Sequence, residues 1–394
     1  MLNKTFLEGW RRPLVAAACV ACSCQAAHAV DGISLAGTGV KAAGMGGVSI
    51  AFPQDATAAA DNPAGMALVG NRVDFGVQVL EPLTDFQYGS PSNTMHTGRI
   101  YAIPDGGVNW QIDPKVTFGV SVFGVGVGTN YGRAALPVAG AGPAKSSLQT
   151  VITAPTVTYE FARGNYVGVS LAAAMERFSA NGVIVPEAGG GLLALPSHGV
   201  STAFGYGLRL GYIGRITPKL TLGASFASMI RMGKLSGYSN DLLAAGGGRI
   251  DIGEQYGAGL AYRVTPALTL AADWLHMEFS NTIIGSADAF GWKNQNFVRG
   301  GLSWRESERL TLRAGFSVGN HPIDSAVVAR NLLSPMPVSS SISCGATYEL
   351  GNGNEISGDF DYGFPVTVSG SGASAGFVDR TKTEVIGVSL GHRF

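Results

Sequence analysis

The stretch "ERLTLRAGFSVG", residues 308–319, alternates between apolar side chains and polar or small ones. Its apolar members are Leu310, Leu312, Ala314, Phe316 and Val318. A two-residue period is that of a β-strand, and it excludes an amphipathic helix over this stretch. The alternation lasts for about ten residues, the length that a tilted strand needs to cross a bilayer. We therefore expect a strand with one face toward lipid.

The composition of the whole chain favours the same class of protein. The 394 residues are 46% apolar and only 14% charged, which is unusual for a water-soluble protein. Beyond residue 29, however, no uninterrupted apolar run is long enough for a membrane-spanning helix. A transmembrane β-barrel reconciles these observations, because its apolar residues alternate with polar ones. The balance of 27 basic and 27 acidic residues argues against a nucleic-acid partner.

The first 29 residues have the pattern of a secretory signal peptide. Arg11 and Arg12 precede a short apolar stretch, and Ala27-His28-Ala29 is a typical cleavage signal. A twin-arginine signal lacks a Ser or Thr before the arginines. A lipoprotein signal lacks a Leu three residues before its candidate cysteines, which are Cys19, Cys22 and Cys24. After removal of residues 1–29 only Cys344 remains, so we expect no disulfide framework, no metal site and no cofactor.

The turns give the number of strands. Six tight connectors recur, and between them lie seven longer loops rich in Gly, Pro, Ser and Ala. Short turns on one side and long loops on the other are typical of bacterial outer-membrane barrels. These connections join 14 antiparallel strands and place both chain ends at the short-turn, periplasmic side. The connectors are Asp113-Pro114, 163–165, 217–219, 265–267, 306–308 and 351–354, and the loops are roughly 81–98, 129–148, 180–202, 234–249, 280–291, 320–336 and 365–380.

The last strand carries a terminal aromatic residue. In "TEVIGVSLGHRF", residues 383–394, Ile386, Val388, Leu390 and Phe394 share one face. This pattern resembles the C-terminal signal that the barrel-assembly machinery recognises, although His392 departs from the aromatic residue usual two positions before the end. A secreted β-sandwich or β-helix is the alternative for a chain of many short strands.

Residues 30–70 do not alternate as a lipid-facing strand does. They are rich in small residues and contain a possible one-turn helix, capped by Asp55 and stopped by Asn62-Pro63. A 14-stranded barrel is too wide to be filled by its own side chains. We therefore expect this segment to lie in the lumen as a plug.

Within that segment, "AGTGVKAAGMGGVSIAFPQDATAAADNPAGMA", residues 36–67, resembles the N-terminal hatch of the FadL-type outer-membrane transporters of long-chain fatty acids and hydrocarbons. The resemblance includes the motif Asn62-Pro63-Ala64. Segments 205–238, 264–279 and 298–318 are also similar to that family. The resemblance implies a monomeric 14-stranded barrel with a hatch, and passive uptake of hydrophobic molecules that leave sideways at a kinked third strand.

The third strand changes its pattern halfway. In "VTFGVSVFGVGVGTNYG", residues 116–132, the apolar residues occupy even positions up to Val122 and odd positions from Phe123. Counting from the turns places Phe123 opposite Pro104 and Val122 opposite Pro155. Proline lacks the N–H that a ladder needs, and a one-residue phase change is what a bulge produces. We therefore expect a lateral opening for the substrate at Pro104, Phe123, Gly124, Val125, Gly126, Gly128 and Pro155. The simpler interpretation is that glycine is common in this chain and that barrels often bulge.

Strand parity places several charged residues in the lumen. The set comprises Glu176, Arg209, Asp273, Arg299, Arg313, Asp359 and Asp361. One interpretation is a mutually paired network that hydrates the interior. The other is that Arg209, Arg299 or Arg313 anchors a substrate carboxylate, as a bidentate guanidinium can.

An enzymatic alternative rests on Asp273 with His276, or on His321. The histidines are scattered over loops and strand ends, and no motif joins them to a serine. We therefore expect no enzyme.

The sequence thus predicts three parts: a signal peptide at 1–29, a hatch at 30–70 and an all-β, 14-stranded transmembrane barrel at 71–394. We expect a monomer in the outer membrane of a Gram-negative bacterium, surrounded by lipid and lipopolysaccharide, that takes up a hydrophobic small molecule. A surface adhesin or structural barrel is the main alternative. A general polar porin is disfavoured by the plug, and the identity of the solute stays open because an apolar pocket discriminates small differences weakly.

Overall fold

The computed structural model describes residues 30–31, 34–187, 191–335 and 337–394. The predicted signal peptide lies outside the described residues. Within the described ranges, 14 strands form the barrel wall. They are β1 Arg72–Gln87, β2 Tyr101–Asp113, β3 Val116–Asn130, β4 Lys145–Ala162, β5 Asn165–Asn181, β6 Ser201–Arg215, β7 Leu220–Ala227, β8 Gln255–Arg263, β9 Leu268–Met277, β10 Gln295–Arg305, β11 Leu310–Gly319, β12 Ser340–Gly351, β13 Asn354–Ser369 and β14 Val378–Arg393.

Each strand pairs antiparallel with its neighbours in sequence, and β14 pairs with β1 to close the ring. All six predicted tight connectors fall between consecutive strands, which confirms the strand count. The loops after β1, β3 and β13 are shorter than predicted, because the flanking strands extend beyond the apolar part of their patterns. The loops after β7 and β9 are longer than the predicted 234–249 and 280–291, since they span 228–254 and 278–294. Closure leaves no sheet edge, so an all-β chain of this length can satisfy its backbone in lipid.

The remaining elements are short. Additional strands are Val30–Asp31, Ser34–Leu35, Thr94–Gly98, Ile184–Pro186, Leu192–Ala194 and Arg231–Met232. Helical turns are Val40–Ala43, Ala58–Ala60, Pro63–Leu68, Pro91–Asn93, Ala244–Gly246, Ser325–Asn331 and Gly372–Ser374. Over the described part of the chain, no helix has both the length and the apolar character needed to cross a membrane.

The outer face of the wall is apolar, as the alternation predicted. Ile386, Leu390 and Phe394 on the last strand are all more than half exposed. Phe75, Phe204 and many other large apolar side chains are exposed in the same way around the ring. Such a continuous apolar surface is unfavourable in water and favourable in a hydrocarbon layer. The charged positions predicted to face the lumen, by contrast, are all buried.

Residues 34–70, which we call the N-terminal segment, are surrounded by the wall. They contact inward-facing positions on strands all round the barrel. Many of these positions are glycines that lie against the segment's backbone: Gly107 against Ala56, Gly168 against Pro63, Gly211 against Ala64, Gly223 against Ile50, Gly315 against Met45 and Gly345 against Gly44. The glycines therefore make an inner surface without side chains, on which a second layer of backbone fits.

The local structure of this segment differs from the prediction in one respect. The turn Ala58–Ala60 begins at Thr57 and has no side-chain cap, whereas Asp55 accepts a hydrogen bond from the Thr57 N–H at 3.0 Å. Asn62 caps the next helical turn by accepting from the Ala64 N–H at 3.1 Å. Asn-Pro thus begins a turn as well as ending one, because proline is accommodated at a first helical position.

We predict that Gly211→Val displaces the N-terminal segment. A Cβ atom at Gly211 would lie 2.7 Å from the Ala64 nitrogen, a clash with backbone that cannot rotate away. Overpacking of this kind costs about 1–3 kcal/mol. Lys41 is buried and is the one Lys or Arg in residues 30–70, so tryptic cleavage after Lys41 reports release of the segment. Gly358→Val is the control, since the nearest atom to its Cβ position is 3.6 Å away. Equal cleavage in both variants would contradict the docking role of Gly211.

Candidate functional site

The third strand keeps one register along its whole length. Its ladder with β4 runs from Val116–Tyr159 to Asn130–Lys145 without a shift, so the bulge predicted at Phe123 is wrong. Thr117, Ser121 and Phe123 are all buried and lie on the same inward face. The inward-facing residues become apolar at Phe123 because the inward face contacts the N-terminal segment up to Ser121 and faces a cavity from Phe123 onward. The Ser121 hydroxyl donates to the Ala56 carbonyl of the N-terminal segment at 2.6 Å, whereas Phe123 faces a cavity.

The predicted registers of the two prolines are also wrong. Pro155 lies opposite Val120 rather than Val122, because the loop between β3 and β4 closes at different residues from those assumed. Pro104 pairs with Val77 on β1 and has no ladder partner on β3 among the described residues. The ladder between β2 and β3 has a register shift between Gln111 and Asp113, next to the β2–β3 turn. This shift moves the alignment of β2 with β3 by one residue from the one predicted by counting from the turn.

The wall between β2 and β3 is not fully paired. Within the described strands, their ladder ends at Gly106–Val122, although β2 continues to pair with β1 and β3 with β4. At the loop end of β3, the Asn130 N–H donates a hydrogen bond to the Thr97 hydroxyl at 3.3 Å. We call the region between residues 101–105 and 123–129 the wall opening. Side chains occupy it: Ile103 lies 3.0 Å from the Cβ position of Gly124, and the Tyr101 hydroxyl lies 2.9 Å from that of Gly128.

The wall opening lies at the height of the apolar outer band. Ala102 and Pro104, which face outward, are paired with Val79 and Val77 of β1. On β1 and β14, the first charged outward-facing residues beyond these valines are Glu81 and its partner Glu384. The unpaired stretch therefore faces the layer in which the apolar side chains are exposed.

A cavity inside the barrel reaches the same place. It lies between the N-terminal segment and the wall and is partly open to solvent. Ile103, Phe123, Gly124 and Val125 from the wall opening line it. The other apolar lining residues include Leu35, Ile152, Phe226, Ile252, Leu275 and Met277, and the polar ones include Asp61, Gln78, Asp105, Arg209, Gln255 and Arg299. Apolar and polar groups both contribute substantially to this lining, and a combination of apolar surface with placed polar groups is found in sites for small ligands.

The three arginines named from the sequence all hold the N-terminal segment. Arg209 donates to the Ala60 carbonyl, and its guanidinium stacks over the Phe123 ring at 5.1 Å from the centroid. Arg299 donates to the Gly47 carbonyl at 3.0 Å. Arg313 donates to the Gln54 side chain at 2.6 Å and does not line the cavity. The structure thus places Arg209 and Arg299 at the cavity and Arg313 away from it.

Sequence reasoning missed two features of this region. Asp61 of the N-terminal segment lines the cavity beside the two arginines. Burial raises the pKa of Asp61, while Arg299, the Ser49 hydroxyl and Arg209 oppose that rise. Asp61 directly precedes the Asn62-Pro63-Ala64 motif, and this position is the sequence signal that could have indicated a role for Asp61.

The second missed feature is a buried ion-pair network. Arg72 bonds Asp74 at 2.5 Å and Glu355 at 2.6 Å, and Glu355 also accepts from Lys41. The network joins the N-terminal segment to β1 and β13. The predicted pairing of lumenal charges with one another therefore occurs among Lys41, Arg72, Asp74 and Glu355. The three predicted arginines instead donate hydrogen bonds to the N-terminal segment.

The hatch-like motif is fully buried and hydrogen-bonded. The Asn62 amide donates to the Ile50 carbonyl at 2.7 Å and to the Tyr212 carbonyl of β6 at 3.0 Å. Pro63 and Ala64 lie against the glycine pair Gly168 and Gly211. The motif therefore fastens the segment to itself and to the wall.

The residues of the enzymatic alternative lie in separate environments. Asp273 accepts from the Ser49 and Ile50 N–H groups at 2.8 and 2.9 Å. His276 stacks on Tyr256 at 4.7 Å on the outer face, and His321 contacts the Ile323 carbonyl in a loop. In the residues that the structure describes, no group of His, Cys, Asp and Glu is arranged to hold a metal ion.

Comparisons with known proteins agree with the fold. No protein-family model and no curated protein matches the sequence. Among solved structures, a mutant of the monoaromatic hydrocarbon channel TodX has a TM-score of 0.74 at 17% identity, over 91% of this chain and 99% of that one. The Pseudomonas putida toluene transporter TodX has a TM-score of 0.72 at 17% identity, over 92% and 100%. A Pseudomonas aeruginosa FadL homologue has 0.69 at 16% identity, over 94% and 100%.

The proteins it resembles are described as transporters and channels rather than enzymes. At this identity the likeness concerns the fold. The chain has the 14-stranded barrel fold of the FadL-type hydrophobic-compound channels.

Proposed function

We propose that the protein is an outer-membrane channel for passive uptake of hydrophobic compounds. The solute rests in the cavity beside Phe123 and leaves through the wall opening into the membrane. One observation carries the proposal: the residues that line the inner end of the wall opening also line the cavity. The similar fold of the toluene transporter TodX and of a FadL homologue supports the same class of solute.

A lateral route is favourable for an apolar solute. Release into periplasmic water would expose the solute again, at a cost of about 25 cal/mol per Å² of apolar surface. Passage between β2 and β3 keeps that surface in contact with apolar side chains and then with lipid. The step needs no energy source, because the solute moves toward the phase that it prefers.

The N-terminal segment acts in this proposal as a plug, in the role of the predicted hatch at 30–70. Two observations support this role. Glycines all round the wall contact the backbone of the segment, and hydrogen bonds join the segment to Tyr212, Asp273, Arg209 and Arg299 of the wall. A plug of this kind blocks a straight aqueous path while leaving the cavity accessible from the loop side. The prediction that 1–29 is a signal peptide fits this route of export.

The surroundings of the protein follow from the same proposal. The apolar outer band suits a single barrel in the outer membrane of a Gram-negative bacterium, with lipid and lipopolysaccharide around it. Phe394 directly follows the last strand; its side chain is exposed and stacks on His392 with the ring centroids 6.2 Å apart. Recognition of this end by the barrel-assembly machinery remains a prediction.

We expect Gly124→Leu to reduce uptake at least severalfold. Gly124 lies in the wall opening, and the nearest atom to its Cβ position is a methyl of the Ile103 side chain at 3.0 Å, followed by the Thr150 carbonyl at 3.8 Å. A leucine can therefore fit by filling the opening. Gly126 is less suitable, since its Cβ position falls on the Leu148 carbonyl. The measurement is the initial rate of channel-dependent uptake of radiolabelled toluene and 1-decanol by cells.

The matched control is Gly358→Leu, an outward-facing glycine in a continuous ladder with its nearest atom at 3.6 Å. Both variants should migrate as folded barrels in unheated gels. Full uptake by folded Gly124→Leu would refute lateral exit. Absence of uptake by the unaltered protein would favour the adhesin or structural alternative.

We expect Asn62→Ala to open an aqueous leak. The substitution leaves the buried carbonyls of Ile50 and Tyr212 without this donor, at a cost of about 1–3 kcal/mol for each group that stays unsatisfied. Ion conductance across a planar bilayer should therefore rise, with more frequent open events. Asn354→Ala, at an exposed turn, is the control. Identical conductance of the two variants would count against a plugging role.

A further inference from the structure

The wall opening is filled by side chains from β2 alone. The outward-facing positions of β3 within it are all glycine, because side chains alternate along a strand and Phe123 faces the cavity. Glycine has no side chain, so β3 contributes nothing to the outer half of the opening. Ile103 of β2 lies 3.0 Å from the Cβ position of Gly124, and Tyr101 of β2 lies 2.9 Å from that of Gly128. Two side chains, rather than paired backbone, therefore separate the lumen from lipid here.

Ile103 is the side chain that lies between the cavity and the membrane. It lines the cavity, and its Cγ2 methyl group approaches the Cβ position of Gly124, which points to the outer face. The backbone of Ile103 pairs with Gln78 of β1 and has no ladder partner on β3 among the described residues. A solute that leaves the cavity sideways at this point therefore has to pass beside Ile103.

The other side chains around this exit are held in place by cations. The Phe123 ring lies under the Arg209 guanidinium, at 5.1 Å from the ring centroid. The Arg99 guanidinium lies over the Tyr101 ring at 5.9 Å from its centroid. Both arrangements are cation–π contacts, which restrict the position of the ring. Ile103 is itself β-branched, so its first side-chain torsion has few accessible rotamers. The exit therefore has a nearly fixed cross-section.

From this geometry we propose that Ile103 is the specificity-determining residue of the lateral exit, because its side chain sets the largest cross-section that can pass from the cavity into the membrane. The inference rests on the proposed function and adds to it a limit on the shape of the solute. An extended chain or a flat ring presents a narrow edge and passes beside Ile103. A compact three-dimensional cage is wide in every direction and is held back.

The test compares Ile103→Ala with the unaltered protein in channel-dependent uptake of radiolabelled 1-decanol and 1-adamantanemethanol by cells. Cells without the channel provide the background for each probe. Both probes carry the same hydroxyl group, so the ratio of their rates reports shape rather than polarity. One excess methylene in an apolar site is discriminated by roughly tenfold or more, so we expect Ile103→Ala to raise the rate of the cage relative to the chain by roughly tenfold.

Ile252→Ala is the matched control. Ile252 lines the same cavity, but it lies between β7 and β8, where its backbone pairs with Ile230. The substitution deletes the same atoms from the cavity without widening the exit between β2 and β3. Its effect should therefore fall on both probes and leave the ratio of their rates as it is in the unaltered protein.

A milder variant guards against a folding defect. Ile103→Val removes only the terminal methyl group and should raise the ratio by a smaller factor than Ile103→Ala. Folding of all variants is verified by migration in unheated gels. An unchanged ratio in folded Ile103→Ala and Ile103→Val, or an equal rise in Ile252→Ala, would overturn the inference and leave the channel function intact. Entry of neither probe through the unaltered protein would instead overturn the proposed function.

Discussion

The need to pair every backbone N–H and C=O within the wall governs this structure. An open sheet in hydrocarbon leaves an edge of unsatisfied groups, and closure of the ring from β14 to β1 removes it. Leaving β2 and β3 unpaired costs free energy under this constraint, and the unpaired stretch is confined to one short part of the wall. Side chains of Tyr101 and Ile103 occupy it, and the cavity lies behind it.

A ring of 14 strands creates a second constraint, since its lumen is too wide to be filled by wall side chains. The N-terminal segment fills it with a second layer of backbone. Two devices make this layer fit: glycines that let main chain approach main chain, and buried polar groups that satisfy the segment's own N–H and C=O groups. The high glycine content of the chain is therefore in large part a docking surface rather than a sign of weak wall structure.

These two constraints together define the cavity. The segment closes the lower side, the wall opening lies on one flank, and Phe123 stands where they meet under the guanidinium of Arg209. Because Arg209 also donates to the Ala60 carbonyl, the same side chain contacts the N-terminal segment and the inner end of the wall opening. The position of Phe123 and the position of the N-terminal segment are thus physically linked.

Local sequence patterns predict the strand count, the inward and outward faces and the positions of the tight turns, because period-two alternation and turn-forming Gly, Pro and Asn are properties of neighbouring residues. The same patterns single out the region of Phe123, but the predicted bulge is wrong, because the change in pattern reflects what the inward face contacts. The registers of Pro104 and Pro155, the partners of the arginines and the place of Asp61 in the cavity follow from the folded structure alone. Those depend on loop closure and on contacts between residues far apart in the chain, for which a local pattern carries no information.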